Sequence, residues 1–238
     1  MLSDAIDIVL LNCNNKDYIE NCIESIYRCT DGKFNLIVVD QNSKDGSKEW
    51  LKAKSVCHLI LNKMNVGVAV GRNQAIKSGR YPWILLIDSD VLIMDENWLD
   101  KMWNYTIDRR IGVIETRVKS YEGNHTFSRM SFALIRRNTF EDIGCFDPKF
   151  YIGEDLEWYA RLENSNWKTA YCYDTDILHY GKKTMEGCLE KVYYRLMQQN
   201  EDNLYSKYTH EFLKKTLYVN MFRRDAKVSE LIKGDDNG

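Results

Sequence analysis

The polar and apolar positions of the first ninety residues fall into alternating blocks. Ile6–Leu11 is an apolar run, broken only by Asp7, that stops at Asn12-Cys13-Asn14-Asn15. Tyr18–Cys29 then places Ile19, Cys22, Ile23 and Ile26 at helical spacing, and Asp31-Gly32 ends it. Leu36–Val39 is a second buried-strand run, closed by Asp40-Gln41-Asn42-Ser43. A short helix is expected over Ser47–Lys54, a strand over His58–Leu61, a helix over Gly67–Ser78, and a strand over Trp83–Ile87 ending at Asp88. Strand and helix alternating at these lengths predict right-handed β-α-β units and a mostly parallel, Rossmann-like sheet flanked by helices. In such sheets ligands sit beyond the carboxyl ends of the strands. Asn12, Asp40, Asn65 and Asp88 all fall at those ends.

The pattern loosens after Ile93. Trp98–Ile107 and Glu154–Glu163 read as helices, and Gly112–Val118 and Met130–Arg136 as strands. From Cys188 onward the chain reads as helical and tyrosine-rich. This divides it into an α/β domain over 1–181 and a helical C-terminal extension over 182–238. The domain splits in turn into halves of about 1–95 and 96–181.

Composition narrows the class. Lys and Arg total 33 against 35 Asp and Glu, a formal net charge of −2, which excludes a globally basic nucleic-acid coat. A hydrophobic content of 44% and only two prolines exclude disorder and Pro-rich linkers. No apolar run approaches a bilayer span, and the acidic start is unlike a signal peptide. The seven cysteines contain no C-x-x-C pair, so a zinc ribbon is not expected and reduced thiols in a cytoplasmic setting are.

Three segments could carry chemistry. Asp88-Ser89-Asp90 ends an apolar strand with two carboxylates, the hard oxygen ligands that a divalent cation on a diphosphate requires. A lone D-x-D is otherwise a solvated turn or a cap. Asn65-Val-Gly67-Val-Ala-Val-Gly71-Arg72-Asn73 alternates small and polar residues ahead of a helix. Gly67 and Gly71 permit close backbone approach, and Arg72 and Asn73 could reach a nucleotide or its phosphates, though tight packing explains the glycines equally well. Glu154-Asp155 opens a helix, either as dipole partners or as a general base beside a reacting hydroxyl. His179 is a further candidate if the fold returns it to Asp90; a packed histidine is the plainer alternative.

Taken in order, these segments resemble the inverting nucleotide-sugar glycosyltransferases of family two, which have the GT-A fold. The match runs through Ile6–Asn15, Val38–Ser47, Asn65–Asn73 and Ile87–Asp90. It continues through Ile143–Asp147, Gly153–Leu156 and Arg161-Leu162. The resemblance implies that Asn12, Asp40, Asn42, Asn65, Gly67, Arg72, Asn73, Asp88 and Ser89 surround the donor nucleotide. It implies a Mn²⁺ or Mg²⁺ ion held by Asp88, Asp90 and His179, and acceptor activation by Asp155 with Glu154 beside it. The donor so implied is a UDP-sugar. Many relatives carry Tyr-Asn or Tyr-Arg after the first strand, where this chain has Cys13-Asn14-Asn15.

The acceptor is left open between a glycan or lipid-linked saccharide and a hydroxymethylated DNA base. The C-terminal stretch interleaves Lys207, His210 and Lys214 with Tyr208, Phe212, Tyr218 and Phe222. Such a face packs on the domain, lies on an anionic membrane, or grips nucleic-acid phosphate. Low proline with abundant Asn, Lys, Ile and Tyr fits an AT-rich bacterial or phage genome, so a phage-infected host is one setting. A GT-A-like sugar nucleotidyltransferase and a catalytically dead binding module complete the alternatives.

Overall fold

The computed structural model describes residues 5–54, 58–120, 123, 125–127, 130–150, 153–181 and 207. The strands are β1 (Ile6–Asn12), β2 (Phe34–Asp40), β3 (His58–Leu61), β4 (Trp83–Asp88), β5 (Val91–Ile93), β6 (Ile111–Ser120), β7 (His125–Phe127), β8 (Phe132–Arg136), β9 (Lys168–Cys172) and β10 (Ile177–His179). The helices are α1 (Lys16–Cys29), α2 (Ser47–Ala53), α3 (Val68–Ser78), α4 (Trp98–Trp103), α5 (Arg137–Ile143) and α6 (Glu154–Glu163). A 3₁₀ turn over Asn104–Ile107 follows α4, so the expected helix Trp98–Ile107 tightens in its last turn.

The strands form one mixed sheet in the order β3-β2-β1-β4-β8-β6-β10-β5, with β7 and β9 also on β6. The first four are parallel. Then β8 runs antiparallel to both β4 and β6, which makes the second half mixed.

The continuous apolar runs have a simple cause: helices cover both faces. Ile6, Ile8 and Leu10 of β1 join Ile19, Cys22, Ile23 and Ile26 of α1 in one core. Val9 and the alternate residues Ile37, Val39, Ile84 and Leu86 join α3 and α6, including Trp158, in the other. Burying a side chain such as Leu10 or Ile23 stabilises by roughly 1.5–3 kcal/mol. The two cores therefore make the strand ends a rigid platform.

The two halves are stitched at two places. Below the strands, the fully buried Asp7 accepts from the backbone N–H groups of Arg80 and Tyr81 at 2.7 and 2.8 Å. It also accepts from Arg137 of α5 at 2.5 Å. Above them, the Asn73 amide donates to Phe146 O at 2.7 Å and accepts from Phe146 N at 3.0 Å.

Among the cysteines, Cys22, Cys29, Cys145 and Cys172 are free, but Cys13 is disulfide-bonded. This corrects the expectation of uniformly reduced thiols; a pairing between distant cysteines leaves no C-x-x-C spacing to read. The expected C-terminal helices lie outside the described residues except at Lys207. That ammonium pairs with Glu157 at 2.5 Å and Asp147 at 3.4 Å, so it is engaged by the domain itself.

Candidate active site

Register explains how distant residues meet at the carboxyl edge. Asn12 pairs with Asp40 across β1 and β2, and Leu11 with Asp88 across β1 and β4. The Asn12 amide donates to Asp40 Oδ2 at 2.9 Å and to Ser43 Oγ at 3.0 Å, while Asp40 Oδ1 accepts from Ser43 N. Asn12 Oδ1 is buried with no hydrogen-bond partner among the described residues. The α1 start is tied to the D-x-D by Asn15, which donates to Ser89 Oγ at 2.9 Å. Ser89 is therefore turned into protein while Asp88 and Asp90 flank it.

Beyond Asp90 the chain re-enters the sheet as β5. Antiparallel pairing of β5 with β10 places His179 opposite Val91. Its Nε2 comes within 3.2 Å of Asp90 Oδ1 and 3.9 Å of Asp88 Oδ2. One ligand atom from each of Asp88, Asp90 and His179 lies within 4.8 Å of the others. Two carboxylates and an imidazole at this separation suit a divalent first-row cation such as Mn²⁺. Asp90 is buried, and the half-exposed Asp88 gives the cluster an open side.

The loop after β3 is braced by a residue that motif reading missed. Gln41 is buried; its amide donates to Gly67 O at 3.0 Å, and its Oε1 accepts from Val66 N and Asn62 Nδ2. Asn65 Oδ1 accepts from Gly67 N, closing a tight turn at φ +85° that favours glycine. Gly71 is needed for a related reason: a Cβ there would stand 2.5 Å from Gln41 Nε2. The only sequence signal for Gln41 was its place in the polar cluster closing β2. Asn42, with φ +64°, accepts from Lys44 Nζ at 2.9 Å on the rim.

Arg72 does not point into solvent. It is 7% exposed and donates through Nη1 to Glu154 at 2.6 Å and through Nη2 to Asp88 at 3.1 Å and Met130 O at 3.3 Å. It thus spans from the D-x-D to the first turn of α6. Glu154 is buried, and desolvation, with Asp155 and Asp88 adding negative charge, pushes its pKa up to about 7. Arg72 opposes that rise, but its charge is shared with Asp88. The adjoining Asp155 is more exposed than Glu154. Asn73, grouped with Arg72 in sequence as a nucleotide contact, exchanges two hydrogen bonds with the Phe146 backbone.

The arrangement combines a cation-competent cluster, a buried, hydrogen-bonded Asn12–Asp40 pair at the strand ends, and a pair of carboxylates at a helix start. The Glycosyl transferase family 2 model matches residues 7–166, which include every one of these groups except His179. The chain belongs to this family.

Relatives agree with the assignment. The chain is 21% identical over 175 residues to the O-antigen chain rhamnosyltransferase WbaN of Salmonella anatum, covering 60% of this chain and 56% of that one. Among solved structures it resembles the S. aureus TarS 1-349 complex with UDP at TM-score 0.62 and 18% identity, covering 82% and 63%. It also resembles the mannosyltransferase PcManGT from Pyrobaculum calidifontis, in complex with GDP-Man and Mn²⁺. There the TM-score is 0.59 and the identity 15%, covering 82% and 60%. At these identities the structural matches establish the GT-A fold alone. The chain spans about half the length of the curated relatives it matches. No described helix is long and apolar enough to cross a membrane.

Proposed function

We propose that this family 2 chain moves a sugar from a UDP-sugar to a hydroxyl of a glycan or lipid-linked saccharide, with inversion at the anomeric carbon. The observation that carries this reading is the Arg72 bridge. It puts the Asp88-Asp90-His179 cluster and the Glu154-Asp155 helix start within one guanidinium of each other. A donor phosphate group and an acceptor hydroxyl need these two features side by side.

Asp40 and Asn12 hold the nucleoside at the ends of β2 and β1, and the Asn65–Gly67 turn lets backbone approach it. Asp88, Asp90 and His179 would hold Mn²⁺ or Mg²⁺, which neutralises charge on the departing diphosphate when bound. Asp155 accepts the acceptor hydroxyl's proton as its oxygen attacks the anomeric carbon. The bond to the nucleoside diphosphate breaks on the opposite face, and that diphosphate carries away the electron pair. Glu154, buried against Arg72, holds the helix start rather than the proton in flight. A bound UDP in one fold neighbour and an O-antigen substrate in the name of a relative support the donor and acceptor classes.

The test is a thermal-shift screen of UDP, GDP, dTDP and CDP with Mn²⁺ or Mg²⁺, followed by transfer of labelled sugar to oligosaccharide acceptors. UDP at a hundredfold excess over its Kd is expected to stabilise the fold by about 2.7 kcal/mol. No stabilisation by any nucleoside diphosphate rejects the transferase reading. Transfer to hydroxymethylated duplex DNA but to no saccharide replaces the acceptor.

A further inference from the structure

Arg72 offers more than a strut. Its fork is fixed by three acceptors on three different segments, and its Cζ also lies 5.7 Å from the Phe146 ring. It takes Asp88 Oδ1, and the other oxygen, Oδ2, is the one that lies toward His179. The guanidinium therefore sets the rotation of one cation-binding carboxylate. It also stands as a permanent positive charge beside a site meant for a dication. Its shorter contact is with Glu154, at 2.6 Å against 3.1 Å for Asp88.

We propose that Arg72 is a positioning residue that couples the cation site to the first turn of α6: it weakens cation binding by its own charge, while Glu154 draws that charge away from Asp88. This rests on the reading of Asp88, Asp90 and His179 as cation ligands. In the resting protein Arg72 divides its charge between two acids. When positive charge arrives beside Asp88, repulsion and competition for the carboxylate favour the Glu154 side of the fork. The pair that holds the helix start then tightens, and Asp155 follows as the next residue of the same turn. A site so balanced fills best when a diphosphate brings further negative charge, so cation and nucleotide enter together.

The proposal gives two neighbouring substitutions opposite signs. Mn²⁺ affinity of the full chain, without nucleotide, is measured at about pH 8, where Glu154 is ionised, by electron paramagnetic resonance or calorimetry. Arg72→Met removes the fixed charge and is expected to tighten Mn²⁺ binding about tenfold. Glu154→Gln leaves the guanidinium to Asp88 and is expected to weaken it severalfold. In an Arg72→Met background, Glu154→Gln is expected to lose most of its effect, because the residue that transmits it is gone. If Arg72→Met fails to fold, Arg72→Lys retains charge without the fork and is expected to blunt the response to Glu154→Gln. A purely structural role weakens Mn²⁺ binding in both single variants, and that outcome overturns the coupling. Wild-type protein that binds no Mn²⁺, with or without UDP, rejects the cation site and the coupling with it. UDP binding without Mn²⁺ then preserves the nucleotide reading alone.

Discussion

Glu154 and Asp155 are neighbours with opposite surroundings. Burial raises the Glu154 pKa to about 7 from an ordinary 4.5, so the folded protein keeps a proton that the unfolded chain releases in that interval. The linkage sign follows: the unfolded state binds fewer protons between pH 4.5 and 7, and stability falls as pH rises through that window. The full loss is about 3 kcal/mol, reached above pH 7. Thermal unfolding across pH 4.5 to 8 is expected to show this decline, and Glu154→Gln to flatten it. Asp155 is the proposed base. Asp155→Asn is expected to lower kcat by about 10²–10⁴ with little change in UDP affinity, measured by steady-state kinetics and calorimetry.

At the scale of elements, α6 is held by its own last turns. Fully buried Glu157 accepts a bidentate fork from Arg161 at 2.7–3.1 Å, and Arg161 also donates to the carbonyls of Ile143, Gly144 and Cys145. Trp158 adds an indole N–H to Gly144 O at 3.0 Å. Arg161→Ala takes the bidentate fork from a buried carboxylate that also pairs with Lys207, and is expected to cost about 3 kcal/mol in denaturant unfolding. The β3–α3 turn depends on a smaller margin. Gly71→Ala would press on Gln41, whose amide is pinned to Gly67 O, and is expected to weaken UDP binding without unfolding the sheet.

Across the whole molecule, the first ninety-odd residues and those that follow meet along a seam that Asn73, Arg72 and Asp7 close. Asn73→Ala leaves Phe146 N–H and C=O without their partner and is expected to lower stability by about 1–3 kcal/mol. UDP affinity is expected to hold, because the Asn73 side chain is spent on protein; a large loss of UDP affinity with unchanged stability would return it to the nucleotide. The family match likewise runs across this seam, over residues 7–166.

Local pattern was sufficient for much of this. Apolar runs of strand length, each ending in Asn or Asp, specify a parallel sheet with a polar edge, because strands buried on both faces have no room for polar residues until they leave the core. The D-x-D and the Glu-Asp helix start were visible for the same reason. What the sequence could not determine is which polar residues face the ligand and which face each other. Arg72 and Asn73 are adjacent in one motif, yet one bridges two acids and the other clamps Phe146, because successive helical residues point about 100° apart and only packing decides what each meets. Gln41 as a brace, and His179 beside Asp90, depend on loop closure and on the β5–β10 register, which brings together residues almost ninety positions apart. Hydrophobic periodicity determines elements one at a time; the distances that make a site are set only when those elements share a core.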